Sequence, residues 1–219
     1  MFPCPCSPTE VTAMKIEFFH DVLCAWCYAF SPRLRRLVRE YPDTEIVQRS
    51  FALAPDPVAI AQIFGDKDEG KRQILGHWRA ANDNDDEHRI RADVMATRDF
   101  DYPHSMPGLL ACKAAELQRG QAGHWDYFDR VQRAHLTECL DIAAADVIEQ
   151  CAADVGLDVE RFRAELTCAA VREAVAADVE VASAYGVRST PTIVVNETHL
   201  LSGAVSYERL IDFLKPLSL

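Results

Sequence analysis

An α/β fold with a mixed sheet, split by a large all-helical insertion, is predicted by three features of the 219-residue chain. A strand–helix–strand pattern fills residues 15–51. Strand character then vanishes from Ala54 to Tyr185, where helical periodicity takes over. Two short strands and a last helix close the sequence.

Taken in order, Lys15 to Phe19, "KIEFF", reads as a strand ending at His20-Asp21. From Ala25 to about Glu40, Phe30, Leu34, Leu37 and Val38 recur at helical spacing with arginines between them. Pro32 falls inside that helix and predicts a kink. Tyr41-Pro42-Asp43 ends it, and Glu45 to Phe51, "EIVQRSF", is a second strand. A βαβ unit implies parallel strands joined by a right-handed crossover. In the insertion, Asp56-Pro57 starts a helix with proline at the first position. Lys67 to Ala81 and Asp86 to Thr97 read as two more. Ser105 caps a helix running through Leu109, Leu110 and Leu117 to Gly120. His124 to Thr137 places Trp125, Phe128 and Val131 on one face. Asp141 caps "IAAADVIEQCAADVG", Asp158 caps the next helix, and Ala169 to Tyr185 forms the last before Gly186. Strands return at Thr192 to Val195 and His199 to Ser202 around an Asn196-Glu197-Thr198 turn, and a helix from Ser206 to Leu214 follows. This order, β-α-β, helices, then α-β-β-α, is a thioredoxin-like fold opened by a helical insert. The predicted organisation is a leader over 1–13, a thioredoxin-like domain over 14–55 and 169–219, and a helical insertion domain over 56–168.

Composition narrows the function. With 49% hydrophobic residues the chain can bury a substantial core. A formal charge of −11 argues against nucleic acid and against an anionic membrane surface as partners. No run approaches the roughly 18 apolar residues of a membrane span, and "MFPCPCSPTE" lacks the basic-then-apolar pattern of a signal peptide. A cytoplasmic protein is therefore expected, as a monomer or homodimer. In that reducing compartment eight cysteines do not make a disulfide framework. Cys4 and Cys6 read as exposed thiols of the leader. Cys112, Cys139, Cys151 and Cys168 fall in helical patterns and are expected as free, buried thiols. The seven histidines read as surface or helix-face residues. No metal is expected: there is no second C-x-x-C, no paired histidine spacing, and "DNDDE" at Asp83 to Glu87 lacks the glycine and final glutamate of a calcium loop.

"DVLCAWCYAF" carries the chemistry. Cys24 falls at the start of the first helix, where unpaired backbone N–H groups and the helix dipole favour a thiolate. Cys27, three residues on, is close enough to form a disulfide with it. Cys24 is the expected nucleophile and Cys27 the resolving thiol. Far along the chain, "VRSTPTIVV" puts Pro191 at a strand entry. In a thioredoxin topology this loop faces the cysteines. A cis Thr190–Pro191 bond would leave the Thr190 backbone free to pair with a substrate. Trp26 and Tyr28 flank the pair as candidate substrate contacts.

"HDVLCAWCYAF", "YGVRSTPTIVVN" and "LLSGAVSYERL", supported by "RAHLTECLDIAAADVI" and "CAADVGLD", resemble the DsbA-like thiol oxidoreductases over Met14 to Lys215. The likeness is to their FrnE-like branch, near the 2-hydroxychromene-2-carboxylate isomerases. It implies a protein disulfide oxidoreductase with no organic cofactor, glutathione as a candidate co-substrate, and protein or small-molecule thiols and disulfides as partners. Two positions depart from the family. Ala25 replaces the branch's proline after the first cysteine, and Phe18 stands where many relatives bury a carboxylate. Asp21 resembles the branch's aspartate and is a candidate to accept a proton from Cys27. With no positive charge between the cysteines, the expected potential lies between those of thioredoxin and DsbA, roughly −150 to −250 mV. Two other readings remain open. One is a glutathione-dependent isomerase or kappa-type transferase, whose members usually carry serine at the Cys24 position. The other is a non-enzymatic, thiol-dependent chaperone.

Overall fold

The computed structural model describes residues 14–217; the 1–13 leader, with Cys4 and Cys6, lies outside the described residues. Strand β1 (Lys15–His20) leads through helix α1 (Ala25–Glu40) to β2 (Glu45–Ser50). The insertion holds α2 (Ala59–Phe64), α3 (Lys67–Asn84), α4 (Ala92–Ala96), α5 (Met106–Leu136), α6 (Ala145–Asp154) and α7 (Val159–Leu166). Helix α8 (Ala169–Tyr185), strands β3 (Thr192–Val195) and β4 (His199–Ser202) and helix α9 (Tyr207–Leu214) complete the chain. The sheet order is β2-β1-β3-β4. β1 pairs parallel with β2, as the βαβ pattern requires, and antiparallel with β3, which pairs antiparallel with β4. The result is a thioredoxin fold with a mixed four-stranded sheet and a helical insertion.

The sheet is central because its middle strands, β1 and β3, are buried on both faces. Every residue of β3 and all but the first of β1 are buried. Helix α1 lays Phe30, Leu34 and Leu37 on the sheet, and α5 adds Phe128. Phe18 meets both helices, with ring centroids 6.0 Å from Phe30 and 6.1 Å from Phe128. The β3–β4 turn places Asn196 and Glu197 at φ 47° and 62°, the left-handed geometry of a tight hairpin.

Several expected boundaries are corrected. Helix α1 runs through Pro32 without a break. Asp56 does not start a helix; its carboxylate accepts from the Val58 N–H in a turn, and α2 begins at Ala59. Residues 85–91 are not helical, because Asp85, Asp86 and Arg89 spend their side chains on ion pairs, including Arg33–Asp86 at 2.7 Å and Arg89–Asp85 at 2.7 Å. Ser105 stands at the N-cap of α5, as expected, but its hydroxyl accepts from the Ala54 N–H rather than from the helix. Asp141 holds a turn through the Ala143 N–H, and α6 starts only at Ala145. The two helices read on either side of Gly120 are both present: α5 is interrupted where Arg119 and Gly120 leave helical geometry. Gly120 has a φ of 62°, which a side chain would resist.

Candidate active site

The site is built at the C-terminal end of β1. Asp21 to Leu23 form a tight turn there, with the Cys24 N–H bonded to the Asp21 carbonyl at 3.1 Å. The Asp21 carboxylate fixes the turn: one oxygen accepts from the Leu23 N–H at 2.7 Å, the other from the Leu53 N–H at 2.6 Å. Burial raises its pKa to about 6, only partly offset by bonds from the Ser105 hydroxyl and these two N–H groups. From α5, the buried Gln132 amide donates to the carbonyls of Asp21 and Cys24 at 3.1 and 2.9 Å. Sequence reasoning missed Gln132. The signal available was a polar residue on the apolar stripe of Phe128, Val131 and His135.

Cys24 is the N-cap of α1, and its Sγ accepts the Cys27 N–H at 3.1 Å. One of the helix's unpaired donors thus points at the sulfur, the arrangement that favours a thiolate. Cys27 lies one turn deeper and is fully buried. Burial pushes its thiol well up, and the neighbouring Cys24 adds to this. Opposing them are the Asp21 backbone and the Thr190 hydroxyl. Both sulfurs are free thiols. The two cysteines are therefore unequal: one capped by an N–H at the mouth of a cleft, the other sealed behind it.

The cleft has a volume of about 310 Å³. Cys24, Trp26 and Thr190 line one side; Ile60, Ile74 and Trp78 of the insertion line the other. Thr190 and Pro191, 163 or more residues beyond Cys27 in sequence, are thus brought to the cysteines, and the Thr190–Pro191 peptide is cis. The wall holds a fixed polar chain. The Trp78 indole N–H donates to Tyr102 Oη at 3.1 Å, and Tyr102 Oη lies 3.0 Å from His135 Nε2. Burial lowers the His135 pKa to about 3, so the imidazole is neutral. Tyr28 is not part of the cleft. It turns to the other side of α1, where its hydroxyl meets Thr137 Oγ1 at 2.9 Å and the Arg89 guanidinium stacks 4.1 Å over its ring.

Other placements differ from the sequence reading. His20, His124 and His135 are fully buried rather than on the surface. Cys112, Cys139 and Cys151 are buried free thiols, but Cys168 is exposed at the start of α8, and Cys139 sits in a loop at φ 57°. Among the described residues no cluster of three or more His, Cys, Asp or Glu side chains could hold a metal, and no helix is long and apolar enough to cross a membrane.

Known proteins share this architecture. The ClpXP adapter protein SpxH of Halalkalibacterium halodurans is 30% identical over 184 residues, 83% of this chain and 58% of the relative. The chain spans a little under three fifths of the length of the curated relatives it matches. The cytosolic disulfide reductase DsbM of Pseudomonas aeruginosa superposes with a TM-score of 0.68 at 22% identity, covering 93% of this chain and 96% of that one. A candidate protein disulfide isomerase from Nitrosomonas europaea does so at 0.75 and 19%, with the same coverage. At such identities the structural likeness is one of fold. A family model, the DSBA-like thioredoxin domain, matches residues 15–215, and the chain belongs to that family.

Proposed function

We propose that the chain is a thiol–disulfide oxidoreductase working through Cys24 and Cys27. The observation that carries this is the inequality of the two thiols. Cys24 accepts an N–H at the helix N-terminus and lines the cleft, while Cys27 is sealed one turn behind. In the reducing direction the Cys24 thiolate attacks a substrate disulfide. A Cys24–substrate bond forms, the substrate S–S bond breaks, and the leaving thiolate takes a proton. Cys27 then gives up its proton and attacks Cys24 Sγ. The second substrate thiol departs, leaving Cys24–Cys27 oxidised and the substrate reduced by two electrons. The reverse sequence oxidises a dithiol.

In this reading Thr190 docks the partner beside Cys24 and Trp26 contacts it. Asp21 shapes the turn, its oxygens holding two backbone N–H groups, and with its raised pKa it is also the candidate to take the Cys27 proton. No organic cofactor is required. Partners are protein or small-molecule thiols and disulfides, and the reducing cytoplasm suits the buried free thiols. The test is catalysed reduction of a peptide disulfide, driven by a dithiol. Cys24→Ser should drop the rate to the uncatalysed level, whereas Trp26→Ala should raise KM with little change in kcat. Full activity in Cys24→Ser would overturn the proposal and favour a thiol-independent binding module.

A further inference from the structure

Behind the redox turn lies a concentration of buried polar groups that the thiol chemistry does not use. Twelve buried side-chain nitrogen or oxygen atoms have no hydrogen-bonding partner among the described residues. Seven of them gather between β1, β2 and α5: both ring nitrogens of His20, both amide atoms of Gln48, Ser50 Oγ, His124 Nε2 and Gln132 Oε1. The topology explains why they meet. In the parallel β1–β2 register His20 pairs with Ser50 and Phe18 with Gln48, so these side chains share one face of the sheet. His124 and Gln132 lie on the same stripe of α5 as Phe128, eight residues apart. The His20 ring stands 5.1 Å from the His124 ring and 3.9 Å from that of Phe128. One end of the cluster is closed by ions: Glu116 Oε2 meets His124 Nδ1 at 2.7 Å and Lys113 Nζ at 2.9 Å, and Lys113 Nζ meets Asp178 Oδ2 at 2.8 Å. The other end is Gln132, which bonds the carbonyls of Asp21 and Cys24.

An unpaired buried group keeps its full desolvation penalty, so a fold does not leave seven together without a partner. The chemistry of the set identifies that partner. An anion would need donors alone and a cation acceptors alone. Here Gln48 Nε2 is a donor, Gln48 Oε1 and Gln132 Oε1 are acceptors, and a neutral imidazole offers one of each. Only a small neutral molecule that both donates and accepts satisfies the mixture. A chain of this length holds on the order of eight buried waters, each typically with two to four polar partners.

We infer that residues His20, Gln48, Ser50, His124 and Gln132 enclose an internal water cluster directly beneath the redox turn. These waters bridge the two imidazoles, solvate the Gln48 amide and reach Gln132, making the hydration site part of what holds the Asp21 and Cys24 carbonyls. The site is independent of the direction of thiol exchange.

The test is a crystal structure at a resolution that orders solvent, with water–protein cross-relaxation measured in solution by NMR. Ordered solvent within hydrogen-bonding distance of the His20 ring and the Gln48 amide, together with long-lived water contacts to the His20 ring protons, is the expected result. In Gln48→Met, which removes two of the seven groups, the solvent nearest residue 48 and its cross-relaxation should be lost while the fold persists. Two results would overturn the inference. One is direct pairing of His20 with His124 or Gln48 and no solvent between them; the other is a wild-type protein in which His20 gives no water contact. Both are read on the wild type, so failure of the variant to fold leaves the inference testable.

Discussion

At the residue scale, Asp21 is where structure and chemistry are most tightly joined. Its carboxyl is fully buried, with a pKa of about 6. An acid whose folded value exceeds its unfolded value is most favourable when protonated. Its contribution is present below about pH 4 and is lost as pH rises through 6, by about 3 kcal/mol at most. Glu116 acts in the opposite sense. Burial would raise it, but the hydrogen bond from His124 and the charge of Lys113 bring it to about 2. Its stabilisation holds above about pH 4.5 and is lost toward pH 2. Urea unfolding across pH 3–7 should therefore show Asp21→Asn losing the decline between pH 4 and 6 while keeping the acid limb. An unchanged slope between pH 4 and 6 would show that Asp21 ionises normally in the fold. Cys24 and Cys27 were legible in the sequence because their spacing has its own chemistry. Gln132 and the buried histidines were not, since a helical pattern does not say which polar side chain on a buried face meets a distant turn.

At the element scale, α5 is the support of the site. It carries Gln132, His135 and Gly108, and its first turn presses on the turn that leads into Cys24: a Cβ at Gly108 would lie 2.7 Å from a Val22 methyl. Gly108→Ala should destabilise by about 1–3 kcal/mol through overpacking and slow thiol exchange more than an equally destabilising change remote from the turn. Equal loss of exchange in both would remove α5 from the account of the site. The strands, α1 and α8 were read from the sequence to within a residue or two, because apolar periodicity and Gly186 mark them plainly. The insertion was read less well. Asp56, Asp86 and Asp141 look like helix starts, yet each spends its side chain on a turn or an ion pair. Local capping grammar cannot anticipate a partner 50 residues away, such as Arg33 for Asp86.

At the scale of the whole molecule, the cleft exists only because the insertion closes over the thioredoxin-like part. Arg33 is one of the ties: buried in α1, it donates to Asn84 Oδ1 at 2.8 Å and the Val205 carbonyl at 2.9 Å, and pairs with Asp86. Arg33→Leu leaves several of these acceptors unpaired and should cost on the order of 3 kcal/mol, read as a lower urea midpoint at constant m. An unchanged midpoint would mean that the two parts hold together without it. The central claim, that a nucleophile lining the cleft and a resolving thiol sealed behind it divide the work, is tested most directly by trapping the intermediate. Cys27→Ser and Cys24→Ser are each mixed with a peptide disulfide, and the adducts are mapped by mass spectrometry under non-reducing conditions. The account predicts a lasting mixed disulfide on Cys24 in Cys27→Ser and almost none in Cys24→Ser. A stable adduct on Cys27, formed as readily as the one on Cys24, would contradict it.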